Sequence, residues 1–145
     1  MPTLFRKILV PHDFSDHATD ALKVAGELAR VHRGRLLVLH AVAPFYGGVG
    51  FPPQEEVAWL PTDDVVDELR QRLRRLVARA VRQRADCRVV VGDPVTSIVA
   101  AARSADSIVM ATMGRTGLSH LLIGSVAERV VRLIVIFSWV FAPAS

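Results

Sequence analysis

Two hydrophobic patterns alternate along the chain. Short apolar runs without polar interruption are typical of strands buried on both faces of a sheet, whereas apolar residues at every third or fourth position are typical of helices. Runs of the first kind predict strands at residues 5–11, 36–43, 88–91, 108–111 and 133–141. The helical pattern predicts helices between them that begin near Ser15, Asp63, Pro94 and Ser125.

Individual residues mark the ends of these helices. Ser15 or Asp16 is placed to cap the first helix. Asp93 is placed to cap a helix with Pro94 at its first position, where proline is favoured. Ser125 and Glu128 have the spacing of a capping box. Gly34 is expected to end the first helix, because glycine is favoured just past a helix C-terminus.

Alternating strands and helices predict an α/β fold. We expect one domain over residues 1–145, with five parallel strands in the order 3-2-1-4-5 and helices on both faces, a Rossmann-like arrangement. In such sheets ligands bind beyond the carboxyl ends of the strands, where the strand order reverses. That point lies between the first strand, which Asp13 follows, and the fourth strand, which a glycine-containing loop follows.

One region departs from the alternation. Residues 44–61 contain three glycines and three prolines besides Pro44 at their start, and they show neither period. Glycine and proline weaken both helix and strand, so the sequence predicts a mobile surface loop here.

The basic residues are concentrated on one predicted helix. The net charge is +4, and only Lys7 and Lys23 among the 18 basic residues are not arginine. Seven arginines lie in residues 70–84, after acidic residues that open the same helix, as the helix dipole favours. No aromatic residues interleave with them to stack bases. We interpret these arginines as a solvated face and expect no nucleic-acid partner.

Targeting and metal-binding signals are weak. The apolar runs are much shorter than the about 20 residues of a membrane span, and no apolar region with a cleavage site follows Met1. Cys87 is the only cysteine, which excludes an intramolecular disulfide and a cysteine metal cluster. The histidines show no metal-ligand spacing. We expect a cytoplasmic protein without a membrane partner or a metal site.

The stretch 107–132 carries the strongest candidate chemistry. A buried strand runs through a loop with Gly114 and Gly117 into a helix start, and backbone N–H groups at such a start can bind phosphate. The alternative is an ordinary turn, since glycine occurs wherever a loop turns sharply. The stretch has neither the Gly-Lys-Ser/Thr of a P-loop nor a G-x-G-x-x-G fingerprint.

The same stretch resembles the nucleotide-binding signature of the universal stress protein family, G-x2-G-x9-G-(S/T). Its four fixed positions fall on Ala111, Gly114, Gly124 and Ser125, so alanine replaces the first glycine. The similarity covers nearly the whole chain and includes ILVPHDFSDHATDAL, LLVLHAV, VVVGDP and SIVMAT. The family's C-terminal valine strand is replaced here by LIVIFSWVFAPAS.

The resemblance implies an adenine nucleotide site in a fold like that of the adenine nucleotide alpha hydrolases. Asp13 would bind the adenine or its ribose, Ala41 would present backbone to the base edge, and Met110 would line the base pocket. Structural alternatives are an oriented turn for Asp13, a satisfied core residue for His40, which precedes Ala41, and a core residue for Met110. The full set of residues that the resemblance implies is Pro11, Asp13, Ala41, Met110, Ala111, Gly114, Gly124, Ser125 and Val126.

The resemblance further implies a stress-response sensor or regulator that binds ATP, with or without Mg²⁺. No catalytic residues are evident, so we expect a binding protein rather than an enzyme, with weak ATP hydrolysis left open. Two alternatives remain: a dimeric interaction module without nucleotide binding, and an adenylyl-transferring enzyme of the wider α/β group. The apolar residues 133–141 at the sheet edge predict a homodimer through the C-terminal strand.

Overall fold

Strands and helices alternate over most of the chain. The computed structural model describes residues 4–48, 56–112, 125–133 and 140–141. Within these residues the strands are β1 (Lys7–Pro11), β2 (Arg35–Val42), β3 (Phe45–Gly48), β4 (Glu56–Trp59), β5 (Ala85–Val91), β6 (Ser107–Val109) and β7 (Val140–Phe141). The helices are α1 (Asp16–His32), α2 (Asp63–Ala80), α3 (Pro94–Ala102) and α4 (Ser125–Leu133).

The main sheet has the strand order β5-β2-β1-β6-β7, and each of its pairs is parallel. The predicted order 3-2-1-4 of the first four strands of the alternation is therefore confirmed. β1 is central, with Pro11 opposite Leu39 of β2 and Leu9 opposite Ile108 of β6. The strand order reverses between β1 and β6, as predicted.

The C-terminal strand differs from its predicted extent. Leu133, predicted to open that strand, is the last residue of α4, so the helical pattern that begins at Ser125 continues further than expected. Residues 134–139 lie outside the described residues. At the sheet edge the described part of the strand is two residues long, with Val140 opposite Ile108 and Phe141 opposite Val109.

The prediction of a mobile surface loop at residues 44–61 is wrong at 45–48 and 56–59, where two strands form, while residues 49–55 lie outside the described residues. β3 and β4 pair antiparallel, from Phe45 opposite Trp59 to Gly48 opposite Glu56. Aromatic and β-branched residues favour a pleated strand, and they occupy the two ends of this region. A prediction based on composition missed these strands because the middle of the region is rich in glycine and proline.

Two apolar layers cover the two faces of the main sheet. On one face, residues from α1 and α2 pack on alternate positions of the strands, among them Leu22, Leu73, Ile8, Val10 and Val38. On the other face, α3 and α4 pack on the intervening positions, among them Val95, Ile98, Val130, Leu9 and Leu37. This alternation follows from the period of two in a strand. Helices on both faces are thereby confirmed.

The predicted caps Ser15 and Asp93 are confirmed, whereas Ser125, predicted as a cap, is the first residue of α4. Ser15 caps α1 by accepting from the Ala18 N–H at 3.1 Å, and Asp93 caps α3 by accepting from the Thr96 N–H at 2.9 Å. The end of α1 differs in detail. Arg33, with φ 53°, adopts the left-handed conformation that was expected of a glycine. Gly34 serves another purpose, since a Cβ there would collide with the backbone carbonyl oxygen of Phe5.

Candidate functional site

The candidate site lies where the strand order reverses. β1 leads into α1 on one face of the sheet, while α4, which comes after β6 in the chain, packs on the opposite face. Connections that leave neighbouring strands toward opposite faces open a crevice at the carboxyl ends of the strands. Pro11, at the end of β1, is buried at the base of this edge.

The turn after β1 holds Asp13 firmly. Its Oδ1 accepts from the Ser15 N–H at 3.0 Å, and its side chain is half-buried. The preceding His12 N–H donates to the Leu39 carbonyl at 2.8 Å, which ties the turn to β2. Asp13 therefore orients the turn, as the structural alternative held. The same hydrogen bond fixes the position of its carboxylate at the sheet edge.

The neighbouring strand β2 contributes Ala41. Ala41 is half-buried and stands two residues beyond Leu39, which is level with Pro11 of β1. Its register partner on the far side is Val90 of β5. Ala41 thus lies close to the carboxyl end of β2, on the same edge as Asp13.

The two candidates after β6 face opposite layers. Met110 is 4% exposed and belongs to the apolar layer with α3 and α4. Ala111 is half-buried and packs against the layer with α1 and α2. The structural alternative for Met110, a core residue, matches its burial. Ala111 is the partly exposed member of the pair at this edge.

The start of α4 supplies the remaining described candidates. Ser125 is exposed and is the first residue of α4, while Val126 is half-buried against the layer shared with α3. In a β–α unit the helix N-terminus lies at the carboxyl edge of the sheet, so these two residues belong to the crevice side. Gly114 and Gly124 lie outside the described residues.

Two buried histidines also line this edge, and the sequence analysis assigned them no function. His12 is 3% exposed and His40 is 9% exposed. The His40 Nδ1–H donates to the His12 carbonyl oxygen at 2.8 Å, so His40 is a satisfied buried residue, as its structural interpretation predicted. Burial lowers the pKa of His12 to about 4, against the opposing charge of Asp13 and with a smaller lowering by His40. His12 is therefore neutral at neutral pH. In the sequence, the signal that could have identified His12 was its position directly after a predicted strand and directly before Asp13.

Across the described ranges, no group of three or more His, Cys, Asp or Glu side chains is arranged to hold a metal ion. In the same part of the chain, no helix is both long enough and apolar enough to cross a membrane.

Solved structures share this architecture. A universal stress protein in complex with cAMP superimposes with a TM-score of 0.65 at 21% identity, covering 96% of this chain and 98% of that one. The universal stress protein of Archaeoglobus fulgidus in complex with dAMP gives a TM-score of 0.60 at 23% identity, covering 92% and 95%. The fold defines an α/β protein with a parallel sheet whose strand order reverses between β1 and β6.

Sequence similarity identifies the family. Residues 4–136 match the universal stress protein family. A universal stress protein of Methanocaldococcus jannaschii is 33% identical over 136 residues, covering 89% of this chain and 77% of that protein. One of Thermus aquaticus is 36% identical over 139 residues, covering 88% of this chain and 92% of that protein. The chain belongs to the universal stress protein family.

Proposed function

We propose that this protein binds ATP in the crevice between β1 and β6 and acts in the cytoplasm as a sensor or regulator of the stress response. The observation that carries the proposal is the fixed Asp13 carboxylate at the reversal of strand order, on the edge where α4 begins. Two proteins of the same fold are complexes with cAMP and dAMP. Both ligands combine adenine, a sugar and phosphate, as ATP does.

Each group of residues contacts a different part of the ligand. Asp13 accepts hydrogen bonds from the adenine or the ribose hydroxyls, and the backbone at Ala41 meets the base edge. Pro11, Met110 and Ala111 form the floor between these groups. Phosphates bind where the helix dipole and the first N–H groups of α4 favour negative charge. The residues proposed for the phosphates are Gly114, Gly124, Ser125 and Val126.

The proposal is for binding and not for catalysis. Mg²⁺ would enter with the nucleotide as a counterion of its phosphates, without a resident protein site. The nucleotide-bound form would be the signalling state, and hydrolysis would be slow because no side chain is assigned to activate water.

Titration calorimetry with ATP tests the proposal. Gly124→Val places a branched side chain where the backbone must approach the phosphates, so it should abolish measurable binding while thermal stability changes little. Gly117→Val is the matched control, since Gly117 belongs to the same predicted loop but lies outside the motif. Equal ATP affinity of the parent and Gly124→Val would show that the glycine loop is not the phosphate site.

A second candidate function follows from Ala111 and Met110. Ala111 has a methyl group where the first motif position has glycine, and the Met110 side chain before it is buried in the core. A family member with a narrowed crevice could act only as an interaction module. Purified parent protein that neither carries nor binds ATP would favour this function over the leading one.

We also propose a homodimer through the C-terminal strand. β7 forms the edge of the sheet beside β6, and an edge strand presents unpaired backbone groups to a partner. Pairing with the same strand of a second copy would satisfy them through a two-fold contact. Light scattering should show a dimer for the parent and a monomer or a precipitate for Trp139→Asp. A parent that stays monomeric at high concentration would overturn this proposal.

A further inference from the structure

The turn that carries Asp13 is held by a residue outside the proposed contact set. The His12 Nδ1 accepts a hydrogen bond from the Phe14 N–H at 2.9 Å. This bond spans Asp13, because donor and acceptor belong to the residues on its two sides. The position of the Asp13 backbone therefore depends on the His12 ring as well as on the Ser15 N–H that Asp13 itself binds.

Phe14 needs this support because its backbone is strained. Its φ is 65°, in the left-handed region that bulky residues rarely adopt. Its ring packs edge-on against His40, with centroids 4.6 Å apart, and Arg72 of α2 lies 4.5 Å above it. The hydrogen bond to His12 and these two ring contacts over-determine the turn.

The His12 ring is fixed at its other nitrogen as well. Because Nδ1 accepts, the proton of the neutral ring lies on Nε2, which donates to the Thr19 hydroxyl at 3.1 Å. The Thr19 hydroxyl in turn donates to the Ser15 carbonyl at 3.2 Å. Thr19 belongs to α1, so this chain of hydrogen bonds anchors the ring to the helix. Burial keeps the ring in its neutral form and its pKa well below the ordinary value.

We infer that His12 is a positioning residue for nucleotide binding: its Nδ1 holds the Phe14 amide and thereby aims the Asp13 carboxylate into the crevice. The inference rests on the proposed function, because it concerns how the same site is preorganised. His12 itself need not touch the nucleotide. Its effect passes through the turn, and the loss of its Nδ1 acceptor should loosen the turn more than it weakens the fold.

Two amide substitutions separate the roles of the two ring nitrogens. In His12→Asn, the amide oxygen takes the place of Nδ1 and can accept from the Phe14 N–H, as in an Asx turn. In His12→Gln, the longer side chain places its amide near Nε2 and leaves the Phe14 N–H without this acceptor. Both variants lose the ring, so lost packing is common to them.

Calorimetric titration with ATP, with thermal melting of each variant, tests the inference. His12→Asn should bind within about threefold of the parent, and His12→Gln should bind about tenfold more weakly, which corresponds to one lost hydrogen bond. Equal affinity of the two variants would overturn the inference. A parent that binds no ATP would overturn the proposed function and this inference with it, so the two failures are distinguishable.

A third variant covers the case in which His12→Gln does not fold. Thr19→Val is nearly isosteric and removes the hydroxyl that fixes Nε2, while the Ser15 carbonyl keeps the Thr19 N–H as a donor. The ring keeps its Nδ1 hydrogen bond to Phe14 but loses its anchor on α1. ATP affinity should fall about threefold to tenfold. Unchanged affinity in a folded Thr19→Val protein would contradict the anchoring of the ring. Asp20→Ala, one residue along α1 and exposed, is the matched control.

Discussion

Lys7 and Asp106 are joined by two hydrogen bonds in opposite directions. The Lys7 N–H donates to Asp106 Oδ2 at 3.0 Å, and the Asp106 N–H donates to the Lys7 carbonyl at 3.0 Å. The same carboxylate oxygen accepts from the Arg6 N–H at 3.1 Å. These contacts join the amino ends of β1 and β6, the two strands whose carboxyl ends flank the candidate crevice.

Removal of the Asp106 carboxylate should destabilise the fold. Asp106→Ala leaves two backbone N–H groups without their acceptor, at a cost of about 1–3 kcal/mol in the free energy of unfolding. Asp106→Asn should cost less, because its amide oxygen can still accept. Urea denaturation measures both values, with the exposed Asp20→Ala as the control. An unchanged urea midpoint for Asp106→Ala would show that these hydrogen bonds do not stabilise the fold.

Gly34 should tolerate no side chain. Gly34→Ala would drive a Cβ into the Phe5 carbonyl oxygen, a backbone atom, and should lower the free energy of unfolding by about 3 kcal/mol. Gly92→Ala is the matched control, because its Cβ would meet only the Ser97 Oγ at 3.2 Å, which can rotate away. Thermal melting should therefore separate the two variants. Similar melting temperatures would show that the backbone at Phe5 yields easily.

His12 predicts how stability depends on pH. Its pKa falls to about 4 in the folded protein, from an ordinary value of 6.5. Between these values the unfolded chain binds a proton that the folded protein excludes, so stability is full above pH 6.5 and falls as the pH drops toward 4. The loss between pH 7.5 and 4.5 should be about 2–3 kcal/mol.

Urea denaturation of the parent and of His12→Asn at several pH values measures this contribution. The carboxylates are common to both proteins, so the difference between their pH profiles isolates His12. The variant should lose less stability on acidification than the parent does. Parallel profiles would mean that His12 is protonated as readily in the folded protein as in the unfolded chain.

Asp13→Asn should weaken ATP binding without disturbing the turn. The amide oxygen can still accept from the Ser15 N–H, while the charge available to ligand hydroxyls or amines is lost. Hydrogen bonds to charged groups contribute about 1.5–3 kcal/mol, so affinity should fall at least tenfold. Asp16→Asn, exposed in the first turn of α1, is the control for net charge. Equal affinity of the two variants would remove Asp13 from the site.

Ala111→Gly should leave ATP affinity equal or tighter. It restores the first glycine of the family motif and removes the methyl group at the half-buried position after β6. Calorimetry on the parent and the variant compares the two affinities directly. Weaker binding by the glycine variant would show that the methyl group contacts the ligand favourably.

The sequence predicted best where the physical cause is local. The buried runs of the strands, the helical spacing of apolar residues and the caps Ser15 and Asp93 are all patterns of neighbouring residues. The hairpin of β3 and β4 was missed because each strand is stabilised by pairing with the other, and its glycines and prolines dominated the local composition. The start of β7 was placed too early because apolar residues near Leu133 fit either a strand or a helix.

The sequence alone determined the alternation of strands and helices, and it predicted the strand-order reversal and the residues that carry the family motif. Tertiary structure alone decided that Asp106 joins β1 to β6 and that the backbone of Phe5 approaches Gly34 too closely for a side chain. It also decided that His12, with Thr19 and Arg72, supports the turn at Asp13. The physical reason is the sequence separation between the interacting residues. Caps and periodicity depend on residues a few positions apart, whereas these contacts join groups that only the packing of distant elements brings together.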